Sequence, residues 1–285
     1  MKGLAAGNAM SEQGWDIRLE KMRVGYGSAV VLSDIDALFP AGGISVILGG
    51  SGCGKSTLLR HIAGLSRPFA GRTLIGGQDL FALPPKAFRR LRRNMGVLFQ
   101  DGALLGALTL EQNVALPLTE HTRLPEKTIS VAALRCLALV GLQDFGGYFP
   151  AQLSGGMRKR AGLARALIAE PRILLCDEPT SGLDPINAAR MDQLLLDMKA
   201  RYPNMSLIVV SHDLASLARI ADYILVLREG GAVFQGSYAD LCAAEDVYLQ
   251  NFLRRQSPPE EYSRADGAGL PDPQVRAALH KWLDN

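Results

Sequence analysis

The order of apolar and polar residues predicts strands in the first and last parts of the chain. Short, nearly continuous apolar runs are typical of strands buried on both faces. They lie at 44–48, 173–176, 207–210 and 223–227. Upstream, apolar residues separated by polar ones predict two half-buried strands joined by a turn at 25–27. Their apolar positions are Ile17, Leu19, Met22, then Val30, Leu32, Ile35 and Leu38. Further strands are expected at 73–75, 94–99 and 232–235.

Helical signals replace strand signals in the middle of the chain, from about residue 101 to 169. Thr109 followed by Gln112 is a capping box, which predicts the start of a helix there. Helices are also expected at 85–93, 126–140, 155–169 and 186–201. The chain is therefore predicted to be an α/β protein with a helical insertion between two parts of its core.

The two ends differ from this core. Residues 1–14 are expected to be disordered, and Met10 is an alternative start. Residues 251–285 read as a linker followed by a helix that Asp272 caps, with an apolar stripe containing Leu279 and Trp282. This terminal helix is expected to dock on a partner, either the other subunit of a dimer or a small regulatory subunit. The alternative is docking on its own chain.

Composition limits the class of protein. With 285 residues, 48% of them hydrophobic, the chain can bury a large core. A net charge of +3 is too small to indicate a nucleic-acid partner, and the apolar runs are too short to span a bilayer. No signal peptide is visible at the N-terminus, and the four cysteines form no C-x-x-C pair, which favours a reduced, cytoplasmic protein without a zinc site.

A glycine-rich segment between a predicted strand and a predicted helix carries the clearest chemistry. Gly49 to Ser56 fits the pattern G-x-x-x-x-G-K-[ST]. Its backbone N–H groups can surround a phosphate, the Lys55 ammonium can reach the β- and γ-phosphates, and the Ser56 hydroxyl can bind Mg²⁺. A glycine-rich turn that fits by chance is disfavoured by the flanking strand and helix. The predicted nucleotide-binding residues here are Gly49, Gly50, Ser51, Gly52, Cys53, Gly54, Lys55, Ser56 and Thr57.

Acidic and basic side chains follow two other apolar strands. Asp177 ends one strand and is predicted to organise Mg²⁺, whereas Glu178 is placed to activate the attacking water. His212 follows the strand at 207–210 and is expected to point toward the same crevice, because ligands of open α/β sheets collect at the carboxyl ends of the strands. A purely structural histidine is the alternative.

Two further features remain open on the residues alone. Tyr26 either stacks on an adenine ring or covers a loop. Arg89, Arg90, Arg92 and Arg93 form either a solvated helix face or a phosphate-binding patch, and the solvated face is favoured.

Six motifs in this order resemble those of ATP-binding cassette (ABC) ATPases: the phosphate-binding loop Gly49 to Ser56 (the P-loop), Gln100, Ser154-Gly155-Gly156 (the signature), Asp177-Glu178, Asp184 and His212. The resemblance covers about residues 15–250 and implies a P-loop NTPase (RecA-like) core with an antiparallel β subdomain and an inserted α-helical subdomain. It implies ATP and Mg²⁺ as cofactors and adenine stacking by Tyr26. Lys55, Gln100, Glu178 and His212 would be catalytic, and Ser56, Gln100 and Asp177 would bind the metal. Ser154, Gly155, Gly156 and Asp184 would contact nucleotide.

The segment 99–105, together with 153–157 and the helix that follows, is similar to the ATPases of MCE-type (Mla-type) phospholipid transporters. Met157 stands where most of the family has glutamine, but osmoprotectant importers also have methionine there, so this residue alone does not decide between them. The implied assembly is a C₂ dimer on the cytoplasmic face of the inner membrane, bound to an integral-membrane permease, an MCE-domain periplasmic protein and a small regulatory subunit. An osmoprotectant or other solute importer, and a cytosolic ABC ATPase without a transporter, remain as alternatives. A P-loop GTPase is disfavoured by the signature.

Overall fold

The computed structural model describes residues 14–254, apart from the side chain of residue 215. Ten strands are present in this range: β1 Ile17–Tyr26, β2 Ala29–Phe39, β3 Ile44–Gly49, β4 Ala70–Ile75, β5 Gln78–Asp79, β6 Met95–Leu98, β7 Ile173–Asp177, β8 Ser206–Val210, β9 Tyr223–Arg228 and β10 Gly231–Gly236. The α-helices of this range are α1 Lys55–Ile62, α2 Pro85–Arg92, α3 Leu110–His121, α4 Glu126–Leu139, α5 Gly155–Leu167, α6 Pro185–Arg201, α7 Leu214–Ile220, α8 Tyr238–Ala243 and α9 Val247–Leu253.

A six-stranded sheet in the order β10-β9-β3-β8-β7-β6 forms the centre of the first unit, which ends at Leu241. The five strands from β9 to β6 run parallel, and β10 is antiparallel to β9 at one edge. Every residue of β3, β7 and β8 is buried, as expected for parallel strands covered on both faces. The parallel pairing brings the carboxyl ends of four apolar strands to one edge.

A second, antiparallel sheet has the order β2-β1-β4-β5. Its apolar residues share one hydrophobic core with β3, β7, β8, β9 and α1. The prediction that Val30 and Leu38 face this core is wrong, because both are exposed, whereas Ala37 and Phe39 are buried. A bulge at Asp34, which has a positive φ of 52°, shifts the alternation of β2 relative to β1.

Helices α3, α4 and α5 occur between β6 and β7, where the sequence predicts the helical insertion. The capping box of α3 is present: Gln112 N donates to Thr109 Oγ1, and Thr109 N donates to Gln112 Oε1. Helix α3 packs against both α4 and α5, and α5 also packs against β6. Helix α5 thus contacts both the other two helices of the insertion and the central sheet.

The second unit begins at Cys242, and its described part contains α9, capped by Asp246. Helix α9 continues through the boundary expected at 250/251. The predicted N-terminal segment up to residue 13 and the predicted terminal helix with Leu279 and Trp282 lie outside the described residues. Within residues 14–254, no helix has the length and apolar character needed to cross a bilayer.

Candidate active site

The Lys55 ammonium lies at the centre of the glycine-rich loop between β3 and α1. Only 5% of this residue is exposed, and its Nζ donates to the carbonyl oxygens of Gly49 and Gly50 at 2.9 and 2.8 Å. These bonds hold the charge at the start of a helix, where backbone N–H groups and the helix dipole favour an anion. The loop therefore presents a preorganised cation to a phosphate.

Gly49 is required by the packing of the central sheet. Its φ is 150°, and a Cβ on it would lie 2.4 Å from the carbonyl oxygen of Leu227 on β9. Gly52 and Gly54 also have positive φ, whereas Gly50 has an ordinary φ and no atom within 4 Å of a built Cβ. The backbone path of the loop therefore favours glycine at 49, 52 and 54, whereas the surroundings of Gly50 are open.

Ser56 and Asp177, the predicted metal-binding residues of the P-loop and of β7, are in contact. Ser56 Oγ donates to Asp177 Oδ1 at 2.8 Å. Asp177 is only 6% exposed, and burial raises the pKa of its carboxyl, with Glu178 adding to the rise and the Ser56 hydrogen bond opposing it. A hydroxyl and a carboxylate are oxygen ligands of the kind that Mg²⁺ takes beside nucleotide phosphates. Residues 14–254 contain no cluster of three or more His, Cys, Asp or Glu suited to a metal, so phosphate oxygens would have to complete the coordination.

Glu178 has an unusual backbone and a histidine neighbour. Its φ is 48°, in the left-handed region, and its N–H donates to the Val210 carbonyl at 3.0 Å. Its Oε1 lies 3.3 Å from Nδ1 of His212, whose side chain is 60% exposed. The strands β7 and β8 therefore bring together the two side chains that the sequence predicted at one edge.

Tyr26 is the last residue of β1 and pairs with Ala29, so the turn lies at 27–28 and the predicted turn at 25–27 begins two residues too early. The Thr57 hydroxyl donates to the Tyr26 hydroxyl at 2.9 Å, and Tyr26 is 48% exposed. This bond fixes an accessible aromatic ring beside the first turn of α1. The position suits a ring that stacks on a base more than one that covers a loop.

Gln100 and the arginine cluster flank β6. Leu98 pairs with Cys176, so the chain after β6 leaves the sheet beside Asp177 and Glu178, and Gln100 is exposed there. Arg89, Arg90, Arg92 and Arg93 are all exposed, whereas Leu91 of the same helix is buried. The arginine cluster thus has the pattern of a solvated helix face.

The other predicted contact residues cap helices. Ser154 caps α5 and accepts from Met157 N at 3.3 Å, and both Ser154 and Gly155 are exposed. Asp184 caps α6 and accepts from the N–H groups of Ile186 and Asn187, bonds that lower the pKa of its carboxyl. These exposed helix starts leave Ser154, Gly155 and Asp184 accessible to another molecule.

Lys159 is a site residue that the sequence analysis did not identify. It lies on α5, only 5% of it is exposed, and its Nζ donates to the carbonyl oxygen of Glu178 at 2.9 Å. Its only signal in the sequence is a charge near the apolar face of a predicted helix.

The family model described as ABC transporter matches residues 32–181, more than half of the chain. Three relatives are similar over most of it. The probable ribonucleotide transport ATP-binding protein mkl of Mycobacterium bovis is 39% identical over 92% of this chain and 73% of that protein. The phospholipid transport ATP-binding protein MlaF of Haemophilus influenzae is 36% identical over 85% and 91%. The methionine import protein MetN 2 of Pseudomonas syringae is 41% identical over 73% and 64%.

A solved structure extends the likeness to the fold. The ATP-binding cassette MJ0796, in a dimeric post-hydrolysis state bound to ADP and Pi, superposes with a TM-score of 0.71 at 30% identity. The match covers 78% of this chain and 98% of that one. The central sheet is thus that of a P-loop NTPase, and cassettes of this kind hydrolyse ATP, dimerise and work with membrane permeases. The chain belongs to the ABC transporter family, as an ATP-hydrolysing subunit.

Proposed function

We propose that this chain is the ATPase subunit of an MCE-type (Mla-type) ABC transporter that moves phospholipid between the inner and outer membranes. The observation that carries this proposal is the share of each relative's length that aligns with this chain. The alignment with MlaF spans 91% of that protein, whereas the alignment with MetN 2 spans 64% of it, although identity to MetN 2 is higher. Met157 in the signature agrees with this assignment. A methionine or osmoprotectant importer is the second candidate, supported by the 41% identity to MetN 2.

In the proposed mechanism, ATP binds with its adenine against Tyr26 and its phosphates in the loop from Gly49 to Thr57. Lys55 exchanges its bonds to the Gly49 and Gly50 carbonyls for bonds to the β- and γ-phosphates. Ser56 and Asp177, together with Gln100, would hold Mg²⁺, which would supply charge neutralisation to the phosphates when bound.

Glu178 accepts a proton from the water that attacks the γ-phosphorus, and ADP is the leaving group. His212, 3.3 Å from the Glu178 carboxylate, orients it and contacts the γ-phosphate. Ser154, Gly155, Gly156 and Asp184 contact the nucleotide held by a second copy in a C₂ dimer, which suits their exposure. Hydrolysis then lets the dimer open and transmits the change to a permease on the cytoplasmic face of the inner membrane.

Purification of the tagged full-length chain from native membranes in mild detergent tests the phospholipid assignment. We expect a polytopic permease, an MCE-domain protein and a small regulatory subunit in the sample, and phospholipid by mass spectrometry. ATPase activity in that complex should respond to phospholipid. Recovery of a permease with a solute-binding protein, and stimulation by methionine or a betaine, would favour the importer instead.

A further inference from the structure

The Lys159 ammonium is fully paired in a buried position behind the site. Its Nζ donates to Glu178 O at 2.9 Å, to Ser181 O at 2.5 Å and to Ser181 Oγ at 3.0 Å. A lysine has three N–H donors, so these three acceptors account for all of them. The side chain therefore acts as a fixed three-way link between α5 and the segment after β7.

One acceptor of this link is the carbonyl oxygen of Glu178, a residue whose backbone has a left-handed φ of 48°. Left-handed φ values are disfavoured for residues other than glycine, and they persist only when surrounding contacts hold them. Here the N–H of Glu178 is held by Val210 O. Its carbonyl accepts from Lys159 Nζ, and the Ser181 hydroxyl donates to it at 3.2 Å.

The charge of Lys159 is held in place by its surroundings. Burial lowers the pKa of the Lys159 ammonium, and the carboxylates of Asp101, Glu178 and Asp177 act in the opposite direction. An apolar side chain here would leave the Glu178 and Ser181 carbonyls without this donor in a poorly solvated place. Loss of the ammonium should therefore destabilise the backbone conformation of Glu178.

We propose that Lys159 is a positioning residue for hydrolysis, which holds Glu178 in its left-handed conformation and so aims the carboxylate at the attacking water. The proposal rests on the proposed role of Glu178 as the base. Lys159 acts through Glu178, because all three of its donors are bound to protein oxygens. Because Ser154 caps α5, the same link connects the signature to Glu178.

Three variants of the full-length protein test the link. Lys159→Met keeps a long apolar stem but has no donor, and Lys159→Arg keeps a cationic donor. Arg160→Met is the matched control, because Arg160 is the next residue of α5 and donates to the Val140 carbonyl at 2.9 Å, away from Glu178. We expect Lys159→Met to lower kcat about tenfold with KM and nucleotide affinity unchanged, since the loss falls on the transition state. Lys159→Arg should restore part of the rate, and Arg160→Met should leave it unchanged.

A double-mutant cycle separates positioning from a general structural role. In the Glu178→Gln background, Lys159→Met should lower the residual rate by less than about twofold, because a residue that acts through Glu178 has nothing left to position. An equal loss of rate in both backgrounds would contradict the positioning role of Lys159 but not the role of Glu178 as the base. A wild-type rate of Glu178→Gln by itself would contradict the role of Glu178 as the base, and with it the proposed function of the site.

Ser181→Ala provides a second test in case the Lys159→Met variant does not fold. It removes only the hydroxyl that bonds both Lys159 and the Glu178 carbonyl. A smaller fall in kcat, again with KM unchanged and again absent from the Glu178→Gln background, is expected. If folded Ser181→Ala hydrolyses ATP at the wild-type rate and Lys159→Met does so or fails to fold, the inference is wrong.

Discussion

At the scale of single residues, Glu178 combines a left-handed backbone with a carboxylate 3.3 Å from His212 Nδ1. Replacement by glutamine keeps the shape and removes the proton acceptor. We expect Glu178→Gln to bind ATP normally and to lose at least about 100-fold in turnover, the share of a general base. Steady-state ATPase and nucleotide-binding assays measure the two quantities.

Glu170 supplies the matched control for this substitution. It also has a positive φ, 47°, but it is exposed and precedes the opposite end of β7. Glu170→Gln should therefore retain full turnover. Equal activity of the Glu178 and Glu170 variants would remove Glu178 from the base position.

Cys53 permits a chemical test of the same site. Its thiol is partly exposed within the P-loop, 4.0 Å from Lys55 Nζ. Burial raises the pKa of Cys136 to about 11 and that of Cys176 to about 12, so these thiols stay protonated and slow to react at neutral pH. We expect a maleimide to inactivate the enzyme and MgATP to protect it.

The control for this modification is Cys53→Ser, which should be active and resistant to the reagent. Cys242 is exposed and is expected to be labelled in both proteins without loss of activity. Inactivation at the same rate with and without MgATP would place Cys53 outside the nucleotide site.

At the scale of elements, α5 and the segment after β6 pack closely because Gly162 and Gly102 have no side chains at their contact. A Cβ on Gly162 would lie 2.9 Å from Cα and O of Gly102, which itself has a φ of 77°. Arg165 of the same helix donates to the Gly102 and Ala103 carbonyls, both at 2.8 Å. The segment that follows Gln100 is therefore packed against α5 and hydrogen-bonded to it.

Gly162→Ala tests this close contact. We expect a loss of about 1–3 kcal/mol in the free energy of unfolding, because the methyl group must displace backbone atoms rather than a flexible side chain. Gly155→Ala, in the same helix, is the control, since the nearest atom to its added Cβ would be 3.9 Å away. Thermal or urea unfolding measures both, and equal stability of the two variants would contradict the packing described here.

The elements also separate what the sequence predicts from what it does not. The capping box at Thr109 and the apolar strands before Gly49 and Asp177 were predictable, because their signals are local and strong. The phase of β2 was not, since the bulge at Asp34 depends on pairing with β1. Lys159 was missed for a similar reason: its buried acceptors come from a segment about twenty residues away in the chain.

At the scale of the whole molecule, the exposed signature and the buried P-loop lysine imply a shared site. Lys55 is 5% exposed within its loop, whereas Ser154 and Gly155 are exposed at the start of α5. In a C₂ dimer each copy would offer its P-loop to the signature of the other, so each ATP would be held by two chains. This arrangement makes a prediction that a self-contained site does not.

Two inactive variants should complement each other in one dimer. Lys55→Ala removes the contact between the P-loop and the phosphate. Gly155→Asp places a negative charge at the start of α5, where the phosphate of the other chain's ATP would lie. Its Cβ causes no clash within its own chain, since the nearest atom is 3.9 Å away. Co-expressed with two different tags and purified through both, the heterodimer has one site with both defects and one with none. If the sites turn over independently, it should recover up to about half of the wild-type rate, while either homodimer has almost none. A heterodimer of Lys55→Ala with the Lys55→Ala, Gly155→Asp double variant contains no intact site and should stay inactive. Failure of the first heterodimer to exceed this control would contradict the combination of shared and independent sites.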